Sequence, residues 1–285
     1  MSRIETIFRD ARGQGRRLLM PFVCAGHTEP DTLVRILPAM QASGAGVVEV
    51  GIPFSDPIAD GPVIASAMHG ALVRGITPAQ VFEQVRSVRD SLDIGLVAMV
   101  SVSIVYRAGG PGGFARQAAE AGFDGVIYPD APLREADELL TAARDAGLTA
   151  SLLISPTTSA SRAKEIAAAC TGFVYLLART GLTGERSDAP DVGRRVAALR
   201  NVTETPIACG FGISTPAHVR AVVEHADAAI VGSALVKRMT KAAAEGQDPV
   251  EAASEFVREL AEAASGVRAA GVSSPSGPGE PTADG

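Results

Sequence analysis

The sequence predicts an α/β chain in which eight parallel strands and the helices that follow them close into one (β/α)8 barrel. Three observations carry that prediction. Eight short, β-rich apolar runs recur along the chain, each followed by a helical pattern, which is the signature of βαβ units on a parallel sheet. The composition does not divide into two classes, so nothing marks a second domain. The first strand also lacks the Gly-x-Gly-x-x-Gly turn that an open dinucleotide-binding sheet would need, since it runs into Cys24-Ala25-Gly26-His27-Thr28. With 285 residues, 46% hydrophobic and 20% charged, the chain has enough apolar surface for a large core, and global disorder is excluded.

Each element has a local reason. Ser2-x-x-Glu5 is a capping box that opens an extra helix ahead of the first strand. The apolar runs are Leu18–Cys24, Val47–Gly51, Gly95–Ser101 and Gly125–Tyr128, then Thr149–Ile154, Phe173–Leu177, Pro206–Cys209 and Ala228–Val231. Between the second and third, Thr77-Pro78-Ala79-Gln80 supplies a capping hydroxyl, a proline at the first helical position and a reciprocal glutamine. Arg134–Gly147 carries Ala136, Leu139, Leu140 and Ala143 at helical spacing and stops at Gly147, and Thr215-Pro216 starts another helix. The whole is the pattern of a TIM barrel over residues 1–265. Residues 266–285, rich in Pro, Gly and Ser, are expected to form a disordered tail with no catalytic role.

Charge and composition exclude several functions. A net charge of −6 argues against general binding of nucleic acid or anionic membranes, both of which need a basic footprint. A small anion remains possible, because backbone amides alone can hold phosphate. Cys24, Cys170 and Cys209 lie far apart in apolar stretches and read as reduced, buried thiols. His27, His69, His218 and His225 have no metal-ligand spacing, so no metal is expected. The N-terminus is too polar for a signal peptide and no apolar run reaches the ~20 residues that span a bilayer, so the expected location is the cytoplasm.

In such a barrel the chemistry sits where strands end and the following loops begin. The second run continues as Glu49-Val-Gly-Ile-Pro-Phe-Ser-Asp-Pro-Ile-Ala-Asp60-Gly-Pro62. Strand alternation turns Val48 and Val50 outward to the helices and points Glu49 into the barrel near its mouth. An inward carboxyl there is costly when ionised unless it is paired. A buried basic partner from elsewhere in the fold is the structural alternative to a functional role. Asp56 reads as a turn cap. Asp60, on the same proline-stiffened loop, pairs with Glu49 as a second carboxyl in a different environment, which would separate acid from base: the buried Glu49 is the candidate for a raised pKa, and the more polar loop setting is expected to keep Asp60 ionised. Gly210-Phe-Gly-Ile-Ser214 and Gly232-Ser233 follow the last two strands and run into helices, the recurrent phosphate position of this fold. The long polar stretch Ala178–Asp188 suits a lid, or an ordinary flexible loop.

Together these stretches resemble the tryptophan synthase alpha subunit family. The likeness rests on residues 49–62, on Tyr175-Leu-Leu-Ala-Arg179-Thr-Gly-Leu-Thr183-Gly184, and on the two glycine loops. Pro21-Phe22-Val23, Gly75-Ile-Thr-Pro78 and Pro129-Asp130 also fit, and the likeness spans about residues 1–265. It implies a carbon–carbon lyase that splits indole-3-glycerol phosphate into indole and glyceraldehyde 3-phosphate by a retro-aldol reaction. It further implies Glu49 as general acid/base and Asp60 as acceptor for the indole nitrogen. Phe22, Tyr175 and Phe211 would line the indole pocket, Gly184, Gly212, Gly232 and Ser233 would bind phosphate, and Thr183 would align Asp60. No cofactor is implied in this chain. The implied partner is a beta subunit carrying pyridoxal phosphate, in an alpha2beta2 heterotetramer.

One stretch departs from the family pattern. Where members usually carry a Tyr-x-Asn-Pro-like segment after the third strand, this chain has Ser101, Ser103 and Ile104, and Tyr106 is the nearest tyrosine that could compensate. The alternatives to the main reading are a stand-alone lyase releasing free indole, a phosphate-binding barrel of another reaction class, and a non-catalytic activator of a beta subunit.

Overall fold

The computed structural model describes residues 1–57, 60–178, 192–210 and 212–266. Nine parallel strands run through the described residues: β1 (Leu18–Cys24), β2 (Val47–Gly51), β3 (Gly95–Met99), β4 (Gly125–Ile127), β5 (Thr149–Ser151), β6 (Leu153–Ile154), β7 (Val174–Leu177), β8 (Ile207–Gly210) and β9 (Ala228–Val231). They bond in the order β5-β4-β3-β2-β1-β9-β8-β7-β6. The two ends of that order are adjacent in the chain, because only Leu152 separates β5 from β6. The run predicted as one fifth strand is therefore two. Its first half bonds to β4 and its second to β7, and together they bring the sheet round into a TIM-barrel-like fold. At the join, the Leu152 N–H is taken by the Cys170 thiol at 3.3 Å rather than by a neighbouring strand.

Twelve helices surround the strands in the described residues: α1 (Arg3–Gly13), α2 (Thr32–Ala42), α3 (Pro62–Val73), α4 (Pro78–Val88), α5 (Val102–Arg107), α6 (Gly110–Ala121), α7 (Asp137–Asp145), α8 (Ala160–Ala169), α9 (Gly193–Arg200), α10 (Pro216–Val223), α11 (Ser233–Ala244) and α12 (Pro249–Ser265). The predicted starts hold. Ser2/Glu5 and Thr77/Gln80 form reciprocal capping boxes, and the Thr215 hydroxyl accepts from the His218 N–H. The helix expected over Arg134–Gly147 begins as a short 3-10 turn, Leu133–Glu135, and becomes α7 only at Asp137. It ends as expected at Gly147, whose φ of +77° is left-handed.

Two apolar layers result. Val48, Val50, Leu96, Val126 and Leu176 pack outward against helix residues such as Leu33, Ile36 and Val81. Met20, Phe22, Val47, Val97, Ile127, Tyr175 and Ala208 fill the barrel interior. Helix α1 closes the bottom: Ile4 and Phe8 join the interior cluster, and Phe8 lies 6.0 Å from Phe173, ring to ring. At the same end Asp227, just before β9, takes a two-pronged hydrogen bond from Arg12 and further bonds from Arg200 and the Ile207 N–H. The bottom is thus plugged and tied, and the mouth is left for chemistry.

Candidate active site

Glu49 occupies the middle of β2, paired in register with Phe22 of β1 and Val97 of β3, both interior residues. The period-two alternation therefore places its side chain inside the barrel, as the sequence predicts. It is fully buried, and neither carboxyl oxygen has a hydrogen-bond partner in the described residues. Among the described residues no arginine or lysine neutralises it, which speaks against the structural alternative of a buried ion pair. Burial pushes its pKa well above the usual carboxylate range, and the charge of Asp60 pushes it further.

Asp60 lies at the end of the loop that leads from β2 into α3. The sequence reading expected its loop setting to keep it ionised. The structure corrects the reason: the side chain is half-buried, and burial pushes its pKa up to about 6. The two carboxyls still separate in the expected order. Asp60 loses its proton first, while Glu49 is neutral and exerts no charge on it. Glu49 must then ionise beside an anion, so the repulsion falls on Glu49. Near neutral pH one acid and one base share the mouth.

The aromatic side chains follow from missing ones. A Cβ on Gly51 would lie 2.5 Å from the Phe22 ring, and one on Gly210 would lie 2.5 Å from the Tyr175 hydroxyl. Glycine at these two strand ends gives both rings their room. Tyr175 is buried, and burial, then Glu49, then Asp60 raise its pKa, so it lies within electrostatic reach of both carboxyls. Gly212 sits after β8 with a left-handed φ of +79°. Gly232 caps α11 without a side chain, leaving the first-turn N–H groups of a 12-residue helix directed at the mouth beside β9. A Cβ on Gly232 would be 3.5 Å from the Phe22 Cβ, so this helix start adjoins the aromatic wall. Carboxyls, rings and an anion-favouring helix end converge on one opening.

The family model for the tryptophan synthase alpha chain matches residues 8–265. This chain belongs to the tryptophan synthase alpha chain family. The chain is 44% identical to the tryptophan synthase alpha chain of Halorhodospira halophila, over 83% of this chain and 87% of the other. It is 39% identical to that of Gluconobacter oxydans, over 94% of this chain and the full length of the other. Among solved structures, tryptophan synthase subunit alpha from Legionella pneumophila superposes with a TM-score of 0.85 at 33% identity, covering 92% of this chain and 98% of that one. A tryptophan synthase structure from M. tuberculosis, an aminoacrylate-bound form, gives a TM-score of 0.81 at 29% identity, covering 93% and 100%. As a tryptophan synthase alpha chain the protein is a lyase of tryptophan biosynthesis, and the family implies a beta-subunit partner. Among the described residues no helix is long and apolar enough to cross a membrane.

Of the residues singled out in the sequence, Thr183, Gly184 and Phe211 lie outside the described residues, as does most of the expected lid, 178–188. Phe22, Glu49 and Tyr175 lie within strands β1, β2 and β7 and belong to the barrel interior, whereas Asp60, Gly212, Gly232 and Ser233 lie in the turns and helix starts that follow the strands. The departing segment is resolved differently from expectation. Strand β3 ends at Met99 because Ser101 caps α5, accepting from the Ser103 N–H at 3.3 Å and donating to Asp130 at 2.7 Å. Asp130 also accepts from the Val102 N–H at 3.0 Å. Tyr106 does not compensate, because it is exposed on α5 and donates to Glu138 at 3.3 Å. Met68 and Met99, which line the space beside Asp60, were missed in the sequence. Strand alternation from Val97 would have placed Met99 inside.

Proposed function

We propose that this alpha chain cleaves indole-3-glycerol phosphate to indole and glyceraldehyde 3-phosphate with Glu49 as acid and base and Asp60 as acceptor for the ring nitrogen. The observation that carries the reading is the Glu49 carboxyl, buried with no hydrogen-bond partner among the described residues and with its pKa raised by burial and by Asp60. A carbon atom is a poor proton acceptor, so its donor must be positioned and still hold a proton near neutral pH. Glu49 gives its proton to the ring carbon that bears the glycerol chain, while Asp60 takes the N–H proton of the ring. The carboxylate of Glu49 then removes the proton from the side-chain hydroxyl nearest the ring. The carbon–carbon bond breaks, its electron pair returns to the ring, and the hydroxyl carbon becomes the aldehyde. Asp60 returns its proton to nitrogen. One proton has moved from hydroxyl to carbon, and nothing else is consumed.

Phe22 and Tyr175, with Phe211, form the indole wall. The backbone at Gly212, Gly232 and Ser233, with Gly184, holds the phosphate, and Thr183 aligns Asp60. The barrel, residues 1–265, works in the cytoplasm as half of an alpha2beta2 assembly, and pyridoxal phosphate belongs to the beta subunit. Steady-state indole release, measured with and without a beta subunit, tests the assignment. Glu49→Gln is expected to lower kcat by about 10²–10⁴-fold with the affinity for inorganic phosphate little changed. Full activity of that variant would remove Glu49 from the mechanism.

A further inference from the structure

A cavity of about 30 Å3 lies beside Asp60, walled by Phe54, Met68, Met99, Ser101 and Asp130. Its volume is roughly that of one water or one methyl group. Asp60 is among its walls and Glu49 is not. Met68 and Met99 belong to the interior cluster that also contains Phe22 and Tyr175, so two of the cavity's walls are side chains of the barrel interior. Both are flexible thioethers that yield to an entering group. Apart from Asp60 itself, the polar groups of the wall have partners, because Ser101 donates to Asp130, Asp130 accepts from the Val102 N–H, and Asp56 accepts from the Ser55 hydroxyl. An apolar group entering the cavity would not strip a bond from any of them.

We propose that this cavity is a specificity subsite that admits one small apolar substituent on the benzo ring of the substrate at position 7, the carbon next to the fusion atom that bonds the ring nitrogen. The inference rests on the reading of Asp60 as acceptor for that nitrogen. The ring carbon protonated by Glu49 is position 3, and position 2 lies between it and the nitrogen, hence between the two carboxyls. Position 7 is the other neighbour of the nitrogen's side of the ring and faces past Asp60, where the cavity is. Ser101 sets the size of the space, since any larger side chain there grows from the cavity wall.

The test compares kcat/KM for indole-3-glycerol phosphate and its 7-methyl and 5-methyl analogues on the same enzyme preparation, so that the fraction of folded protein cancels in each ratio. In the native chain the 7-methyl substrate is expected within fourfold of the unsubstituted one, the scale of one buried methyl group. Ser101→Thr adds a methyl and keeps the hydroxyl that bonds Asp130, and Ser101→Leu fills the space whichever way the threonine methyl turns. At least one of the two should lower the 7-methyl ratio tenfold or more, as a pocket short by one methylene does, and leave the 5-methyl ratio in place. A native ratio below one-fourth, a 7-methyl ratio that neither variant lowers tenfold, or an equal fall of the 5-methyl ratio overturns the proposal. Asp60→Asn on the unsubstituted substrate separates the two levels. An undiminished rate there would sink the role of Asp60 itself, whereas a lost rate with unmoved ratios would sink only the subsite.

Discussion

Replacing Asp60 by asparagine should stabilise the protein at neutral pH while damaging its chemistry. Burial lifts the Asp60 carboxyl from an ordinary 3.8 to about 6. At about 1.4 kcal/mol per pH unit, that rise corresponds to roughly 3 kcal/mol. An acid with a raised folded-state pKa holds its proton more tightly in the fold, so the native state binds more protons than the unfolded chain between the two values. Stability is then fullest below about pH 3.8, falls as the pH rises through the window, and has lost this contribution above about 6. The amide cannot ionise and skips that loss, but it also needs partners of its own, and the site is half open to solvent. A net gain of about 1–2 kcal/mol above pH 7 is the expected balance. The gain should widen further where Glu49 titrates, because the charge of Asp60 is one of the two causes that raise it. Urea unfolding of both proteins at half-unit steps from pH 4 to 8 reads the difference, and indole release should fall by at least about 10². Unfolding curves that run parallel at every pH, or an asparagine variant that is the weaker at pH 8, would refute the account of Asp60 as a strained, half-buried base.

Three further outcomes follow from the same geometry. The rate against pH should rise with ionisation of Asp60 around pH 6 and fall on the alkaline side as Glu49 loses its proton, and Asp60→Asn should erase the acid limb alone. Gly51→Ala sets a methyl 2.5 Å from the Phe22 ring in a filled barrel, so about 1–3 kcal/mol of stability should be lost with a raised KM; a crystal structure with Phe22 unmoved would contradict it. At the opposite end, burial works to raise the pKa of Asp227, but the bonds from Arg12, Arg200 and the Ile207 N–H outweigh it and the net pKa is lowered. Its contribution is therefore present above the unfolded pKa and is lost as pH falls through the lower folded value, so Asp227→Asn should cost about 2–3 kcal/mol at pH 7 with kcat unchanged at a temperature where both proteins are folded.

How much of this was legible beforehand depends on whether a feature is local. The barrel was legible because each β-rich run and each cap speaks for itself: Ser2 with Glu5, and Thr77 with Gln80, need only their own neighbours. The facing of Glu49 was legible for the same reason, since alternation in one strand decides it. The break in the fifth strand was not, because it arises from two different neighbours pulling on one run, with a thiol from α8's end taking the N–H between them. The end of β3 at Met99 was hidden likewise, since the partner that lets Ser101 cap a helix is Asp130, 29 residues away. The pKa of Asp60 was misjudged because a loop position says nothing about the residues that fold over it.

The two ends of the barrel show why the chain tolerates such a site. A carboxyl held in apolar surroundings with no partner opposes folding whenever it ionises, and at the mouth there are two that repel. Pairing either with arginine would relieve the strain and pin it as a permanent anion, which destroys the acid. The destabilisation has to be offset where no chemistry occurs. That is the bottom, where α1 seals the interior with Ile4 and Phe8 and three arginines gather on Asp227. Carboxyls thus serve opposite purposes at the two ends of the barrel: given partners, Asp227 ties the barrel together, and with none among the described residues, Glu49 holds the proton that the proposed reaction needs.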